Sequence, residues 1–304
     1  MTASDATIDL SVKAERAVAR TLMGRVQWQM ILIGAGQSVT WMITFGLVIV
    51  GRLPIWLGFV IALVCCCFAY LPSHEGQHGN LSGRRAGLRW IDPLVGQLSL
   101  IPLRQSHQVL KTTHMKHHAH TNNPELDVDH HCMEGGLLNA AISVHRGPRP
   151  SVMAANAERD PKFAAEVAKG MPVARLLGAI QLVLVVLFPF ETLFVWWLPS
   201  ALAQSYLFVY FGWQPHRPGD VVGRYRDTRF WTTVAPRYLF QSMQTHIIHH
   251  MYPTIPHWDE PKAMEALRPF IIERGIPGAE RIPERVRWNP LIARDDAPPR
   301  PARA

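Results

Sequence analysis

Apolar and polar positions divide this chain into long blocks. Residues 30–50 and 53–71 are apolar runs without a charge, and 176–190 and 192–212 are uncharged with only Glu191 between them. A helix needs about 20 mostly apolar residues to cross a bilayer. Soluble helices rarely run this far without a charge on any face. The pattern predicts an all-α integral membrane protein with four spans in two hairpins, roughly 30–50 with 53–71 and 172–190 with 192–212. The apolar run 93–103 is too short to cross and is expected to be re-entrant, interfacial or buried.

Punctuation refines this picture. Asn122-Asn123-Pro124 and Pro253 are stop signals for the helices before them, because the residue preceding a proline avoids the helical region. Pro72 either kinks the second span or begins a new helix. An amphipathic helix is predicted from about Val12, and residues 150–172 read as a short helix lying against the headgroups. The chain divides into a polar lead-in (1–29), one membrane domain (30–293) and a proline-rich, disordered tail (294–304). The first 25 residues carry no apolar stretch after a basic start, so no secretory signal is expected there.

Charge adds orientation. Lys13, Arg16, Arg20 and Arg25 precede the first span. Arg84, Arg85, Arg89, Arg104 and Lys111 follow the second, and Arg217, Arg224, Arg226 and Arg229 follow the fourth. The hairpin tips carry only Arg52 and Glu191. Positive loops stay inside, so both termini and all large loops are expected in the cytosol. The net charge of +8 then needs no nucleic acid to explain it, since basic residues beside spans meet anionic headgroups. Cys65, Cys66 and Cys67 are adjacent within a span and read as small apolar filler; with Cys132 they form neither a zinc pair nor a disulfide framework.

Chemistry gathers in three histidine clusters: His74 with His78, then His114, His117 and His118, then His246, His249 and His250. Positions i, i+3 and i+4 share one helix face, so each cluster can aim its rings at one point. Neutral imidazole is the commonest ligand for Zn, Cu, Fe and Ni. Eight such rings are too many for one ion and point to a multinuclear site at a membrane surface, in a helical cap on the cytosolic side. His216, just past the fourth span, is a ninth candidate; nine nitrogens serve two metals with a position left open for a small ligand.

Competing readings are weaker. His74-Glu75-Gly76-Gln77-His78 spells the zinc-protease string HExxH, but a single zinc leaves both HxxHH triplets unexplained. An interfacial pH switch does not account for the repeated spacing, and a metal transporter needs polar groups in mid-membrane. His107, His120, His130, His131, His145 and His257 read as supporting or surface groups, with His120 expected among those that orient ligating rings. Glu125, Asp127 and Asp129 either accept N–H bonds from ligating rings or form a solvated acidic loop.

HxxxH, HxxHH and HxxHH around two membrane hairpins resembles the integral-membrane fatty acid desaturase superfamily. The run from His114 through Asn122-Asn123-Pro124-Glu125-Leu126-Asp127-Val128-Asp129-His130 is similar to the second box of the cyanobacterial-type β-carotene hydroxylases. Pro215-His216-Arg217-Pro218 and His246 to Pro256 add to that likeness. Acyl-chain desaturases usually lack the Asn-Asn-Pro-Glu-x-Asp run, whereas carotenoid ketolases share the Pro-His-Arg element. The first box departs from the hydroxylase pattern at Glu75-Gly76-Gln77.

The resemblance implies two iron ions, dioxygen as co-substrate, and electrons from ferredoxin or a similar small soluble donor. It gives ligand roles to His74, His78, His114, His117, His118, His216, His246, His249 and His250. It implies 3-hydroxylation of carotenoid β-rings, with ketolation or acyl desaturation as alternatives. The expected partners are the bilayer and an apolar carotenoid or lipid, and the expected location is a bacterial inner membrane with the active site cytosolic.

Overall fold

A computed structural model of the protein describes residues 9–233 and 235–286. The described residues are helical, with no strand among them. They divide into two compact units: Gly24–Gly223, and residues 9–23 with those from Arg224 onward. The tail predicted at 294–304 lies outside the described residues.

The first unit holds four helices long and apolar enough to cross a membrane, as the pattern predicts: α2 (Trp28–Ile49), α3 (Ile55–Gln77), α9 (Pro161–Leu187) and α10 (Pro189–His216). α2 and α3 meet at a tight turn where Gly51 has φ +68°, a left-handed conformation that costs glycine nothing. α9 and α10 meet where Phe188 leaves the helical conformation and Pro189 opens the next helix, because a proline at the first helical position forfeits no intrahelical bond. Leu176, Leu182, Val183, Val186 and Leu187 of α9 face outward, which suits lipid rather than a core.

Three boundaries differ from the pattern's expectation. α3 continues past residue 71 to Gln77, with a break between Cys67 and Tyr70. Pro72 explains the break, since its ring clashes with the carbonyl four residues earlier, at Phe68. α9 begins at Pro161, capped by the Asp160 side chain, and runs through Pro172. The stretch 150–172 is therefore one short helix, α8 (Pro150–Arg159), and the first turns of a span. α10 extends to His216 through two wide π-type turns, Leu193–Trp197 and Phe208–Trp213. Prolines 199 and 215 remove the N–H groups that ordinary helix turns there would use.

The run 93–103 becomes a buried helix, α4 (Ile91–Leu100), followed by a single 3₁₀ turn. Gln37 Nε2 donates to the Ser99 carbonyl (2.8 Å) and Ser38 Oγ to that of Leu98 (2.7 Å), tying α2 to it. Trp41 Nε1 donates to the Val195 carbonyl and Trp196 Nε1 to that of Pro102, both at 3.0 Å. Each such interhelical bond contributes on average about 0.6 kcal/mol in a membrane protein. The Trp41 and Trp196 rings also meet edge to face at 5.0 Å, a favoured aromatic arrangement.

Helix α5 (His107–His120) carries the second cluster. Ser106 caps its start by accepting from the Val109 N–H, and it ends before Asn122, at φ +64°. Gln108 and Lys116 fix one face through Glu166 (2.9 Å) and Asp160 (3.0 Å). Two short helices follow, α6 (His130–Met133) and α7 (Leu137–Ser143).

The second unit joins the N-terminal helix α1 (Val12–Arg20) to α11 (His246–Met251) and α12 (Glu260–Glu273). Its core is Ala19, Ile247, Ile248, Met251, Met264, Leu267 and Ile271, with Phe230 and Ile282. The predicted amphipathic helix is present: Glu15 and Ala19 face inward while Lys13, Arg16 and Arg20 face outward.

Candidate metal centre

Within the first unit, the histidines of α3, α5 and α10 come together. His74 lies near the end of α3 and His78 directly after it. The ligand atoms of His74, His78, His114 and His118 all lie within 4.8 Å of one another. His78 Nε2 and His118 Nε2 each lie 3.0 Å from His114 Nε2. His117 turns the other way and faces His216, with ring centroids 4.8 Å apart, and the ligand atoms of that pair also lie within 4.8 Å. The second cluster is thus divided: its i and i+4 rings serve one group and its i+3 ring another.

The chemistry of this donor set fits a metal. A ring nitrogen has one in-plane position, holding either a proton or a lone pair. His114 Nε2 cannot make good in-plane hydrogen bonds to two other nitrogens at once. Two imidazoles bound at right angles about 2.1 Å from one ion have nitrogens about 3.0 Å apart, which is the spacing found. Burial also favours the neutral ring, the form that binds metal, at His78 and His114. It lowers His78 to about 3, helped by Lys111 and Arg84, and holds His114 well below the usual range, helped by the neighbouring histidines.

Asp127 answers the question left by the acidic run. Its Oδ1 accepts from His117 Nδ1 at 2.9 Å. This leaves Nε2 of that ring as the lone-pair nitrogen, the arrangement by which carboxylates orient ligating histidines. The same carboxylate accepts from the Asn122 N–H (2.8 Å) and the Asp129 N–H (2.9 Å). Burial opposes its ionisation, yet the His117 ring and those N–H groups hold the carboxyl below its ordinary value. Glu125 is exposed, and His120 is half-buried; of the acidic run, Asp127 bonds a ring of the second cluster, as one of the two expectations had it.

The remaining histidines separate by environment. His107 is buried between α3 and α4, with Nδ1 2.9 Å from Ser73 Oγ. Burial, with Lys111 nearby, lowers it to about 4. A Cβ on Gly96 would lie 2.3 Å from His107 Nδ1, and one on Gly76 would lie 2.7 Å from the Asp92 carbonyl oxygen. Gly76 is therefore a packing necessity within the HExxH string, and Glu75 is buried, accepting from Asn80. His107 is missed by spacing alone; the glycines at 76 and 96 are its signal. His130 faces Glu134 (3.2 Å), His131 the Val128 carbonyl (3.1 Å), and the exposed His145 bonds Ser205.

In the second unit, α11 is two-sided. Ile247, Ile248 and Met251 enter the core, while the rings of His246, His249 and His250 cluster with centroids 4.8–5.8 Å apart. His257 Nδ1 lies 3.3 Å from Glu260 Oε2, which also meets the Thr245 hydroxyl at 2.8 Å.

Comparison with known proteins agrees with the chemistry. The family model described as fatty acid desaturase matches residues 51–280. A beta-carotene ketolase of Paracoccus sp. is 39% identical over 70 residues, covering 22% of this chain and 29% of that protein.

Proposed function

The chain belongs to the fatty acid desaturase family, and from that membership we propose that it hydroxylates the β-rings of carotenoids, converting β-carotene to zeaxanthin. At the coarser level it is a membrane enzyme of that family. The proposed metal ligands are His74, His78, His114, His117, His118, His216, His246, His249 and His250. Two irons, when bound, supply the redox chemistry that lets dioxygen attack an unactivated C–H bond. In each of the two ring hydroxylations one oxygen atom enters a C3–H bond. The other leaves as water, taking two electrons, delivered one at a time by a small soluble donor of the ferredoxin kind, and two protons from solvent.

The protein's own residues have three tasks. Asp127 holds the His117 tautomer. The interhelical bonds of Ser38, Trp41 and Trp196 tie α2 and α4, with the turn after it, to α10, the span that carries His216. The apolar spans exclude water and admit a substrate too apolar to arrive through solvent. We place the site and both termini in the cytosol of a bacterium, on the charge distribution read from the sequence.

The observation that carries the carotenoid reading is the run 122–129. Its Asp127 orients His117, and its Asn122 reaches Val221, five residues past His216, at 2.7 Å. The residues that mark the resemblance to carotenoid hydroxylases thus bond one candidate ligand, His117, and the loop that follows another, His216. The partial likeness to a ketolase supports a second reading, ketolation of the same ring. Chromatography of pigments from β-carotene-producing bacteria that express this chain separates the two. Zeaxanthin with β-cryptoxanthin is the expected result. Keto-carotenoids establish the second reading, and unchanged β-carotene beside iron-loaded protein refutes both.

A further inference from the structure

The helix carrying the third histidine cluster has only six residues, His246–Met251. A helix that short closes few internal bonds and is marginal by itself. Its direction, and so the aim of its rings, depends on what holds its ends. The C-terminal end is held twice. Arg224 donates to the Met251 carbonyl at 2.7 Å, satisfying one of the orphan acceptors of a helix end. The next residue, Tyr252, donates its hydroxyl to Glu15 Oε1 at 2.7 Å.

Glu15 comes from the N-terminal helix α1, far away in sequence, and is fully buried. Tyr225 Oη lies 3.2 Å from both of its oxygens, and Arg274 lies 3.4 Å from Oε2. Arg274 also donates to the Leu10 carbonyl at 2.9 Å, just before α1. Arg224 lies over the Tyr252 ring at 4.8 Å. A buried carboxylate needs such partners, since an unpaired one is too costly to keep charged. Here one partner is attached two residues beyond His250.

We propose that Glu15 is a positioning residue for the third histidine cluster, acting through Tyr252, so that the N-terminal helix sets the aim of those rings. The inference rests on the proposed ligand roles of His246, His249 and His250. It takes the helix outside the membrane-spanning and histidine-bearing segments and gives it a task beyond packing.

The test is iron(II) affinity of the purified full chain, measured by competition with a chromophoric chelator, together with the iron's Mössbauer spectrum. Partners of metal ligands typically change affinity by about 10–100-fold. Glu15→Ala and Tyr252→Phe are expected to weaken binding about tenfold and to alter the spectrum of one iron. Glu15→Gln keeps an oxygen acceptor for Tyr252 and recovers part of the loss. Ile282→Val, a core change in the same unit, lowers the unfolding temperature but leaves affinity and spectrum as in the unmodified protein. The proposal is overturned if Glu15→Ala and Tyr252→Phe bind iron normally while His249→Ala does not, or if Ile282→Val weakens iron equally. Normal binding by His249→Ala removes the ligand assignment itself, and the inference with it.

Discussion

Asp127→Asn tests the site at its most constrained point. The carboxylate receives three N–H donors, His117 Nδ1 and the Asp129 N–H on Oδ1 and the Asn122 N–H on Oδ2. An amide has only one acceptor oxygen. Whichever way the new side chain turns, its NH₂ group faces at least one N–H donor. If the NH₂ replaces Oδ1, it faces His117 and drives that ring toward the tautomer with its proton on Nε2, the nitrogen needed for a metal. If it replaces Oδ2, the loop at Asn122 loses its anchor. A hydrogen bond to a charged group contributes about 1.5–3 kcal/mol, which corresponds to roughly ten- to hundredfold in iron affinity, the range usual for such partners. The assay is chelator competition on purified protein with turnover measured in parallel. Iron affinity and turnover both unchanged in Asp127→Asn would refute the orienting role.

Other predictions follow from the same geometry. His216→Ala should abolish turnover while expression persists; full activity would remove this residue from the site. Gly96→Ala forces a Cβ to within 2.3 Å of the buried His107 ring and should cost about 1–3 kcal/mol. Gly36→Ala meets open space and should leave the thermal midpoint unchanged or raised, so equal effects of the two would contradict the packing argument. Trp41→Phe loses the bond to the Val195 carbonyl, which Pro199 cannot replace, and part of a buried packed ring, and should lower stability by about 1–3 kcal/mol in detergent denaturation. An unchanged denaturation midpoint would contradict the bridging role.

The spans and clusters were legible because each follows a simple period. Uncharged runs of membrane length and the i, i+3, i+4 histidines depend on local geometry alone. Element ends were less legible where proline acts at a distance. Pro72 breaks α3 at Phe68, and Pro199 and Pro215 accompany wide turns that carry the fourth span on to His216. The division of the second cluster, with His117 apart from His114 and His118, depends on which helices pack against α5, and spacing carries no trace of that. His107 and Glu15 illustrate the same limit. Their roles arise from partners brought close by the fold: Ser73 and Gly96 for one, Tyr252 and Arg274 for the other.

The central claim is oxygen insertion into a carotenoid ring by an iron centre on these histidines. Its most direct test is turnover of β-carotene by the purified, iron-loaded protein under ¹⁸O₂ with a reducing donor, read by mass spectrometry of the pigments. The account predicts zeaxanthin carrying the heavy isotope in its ring hydroxyls, with no product when iron is withheld. Hydroxyl oxygen drawn from water, or consumption of dioxygen with β-carotene left intact, would contradict it.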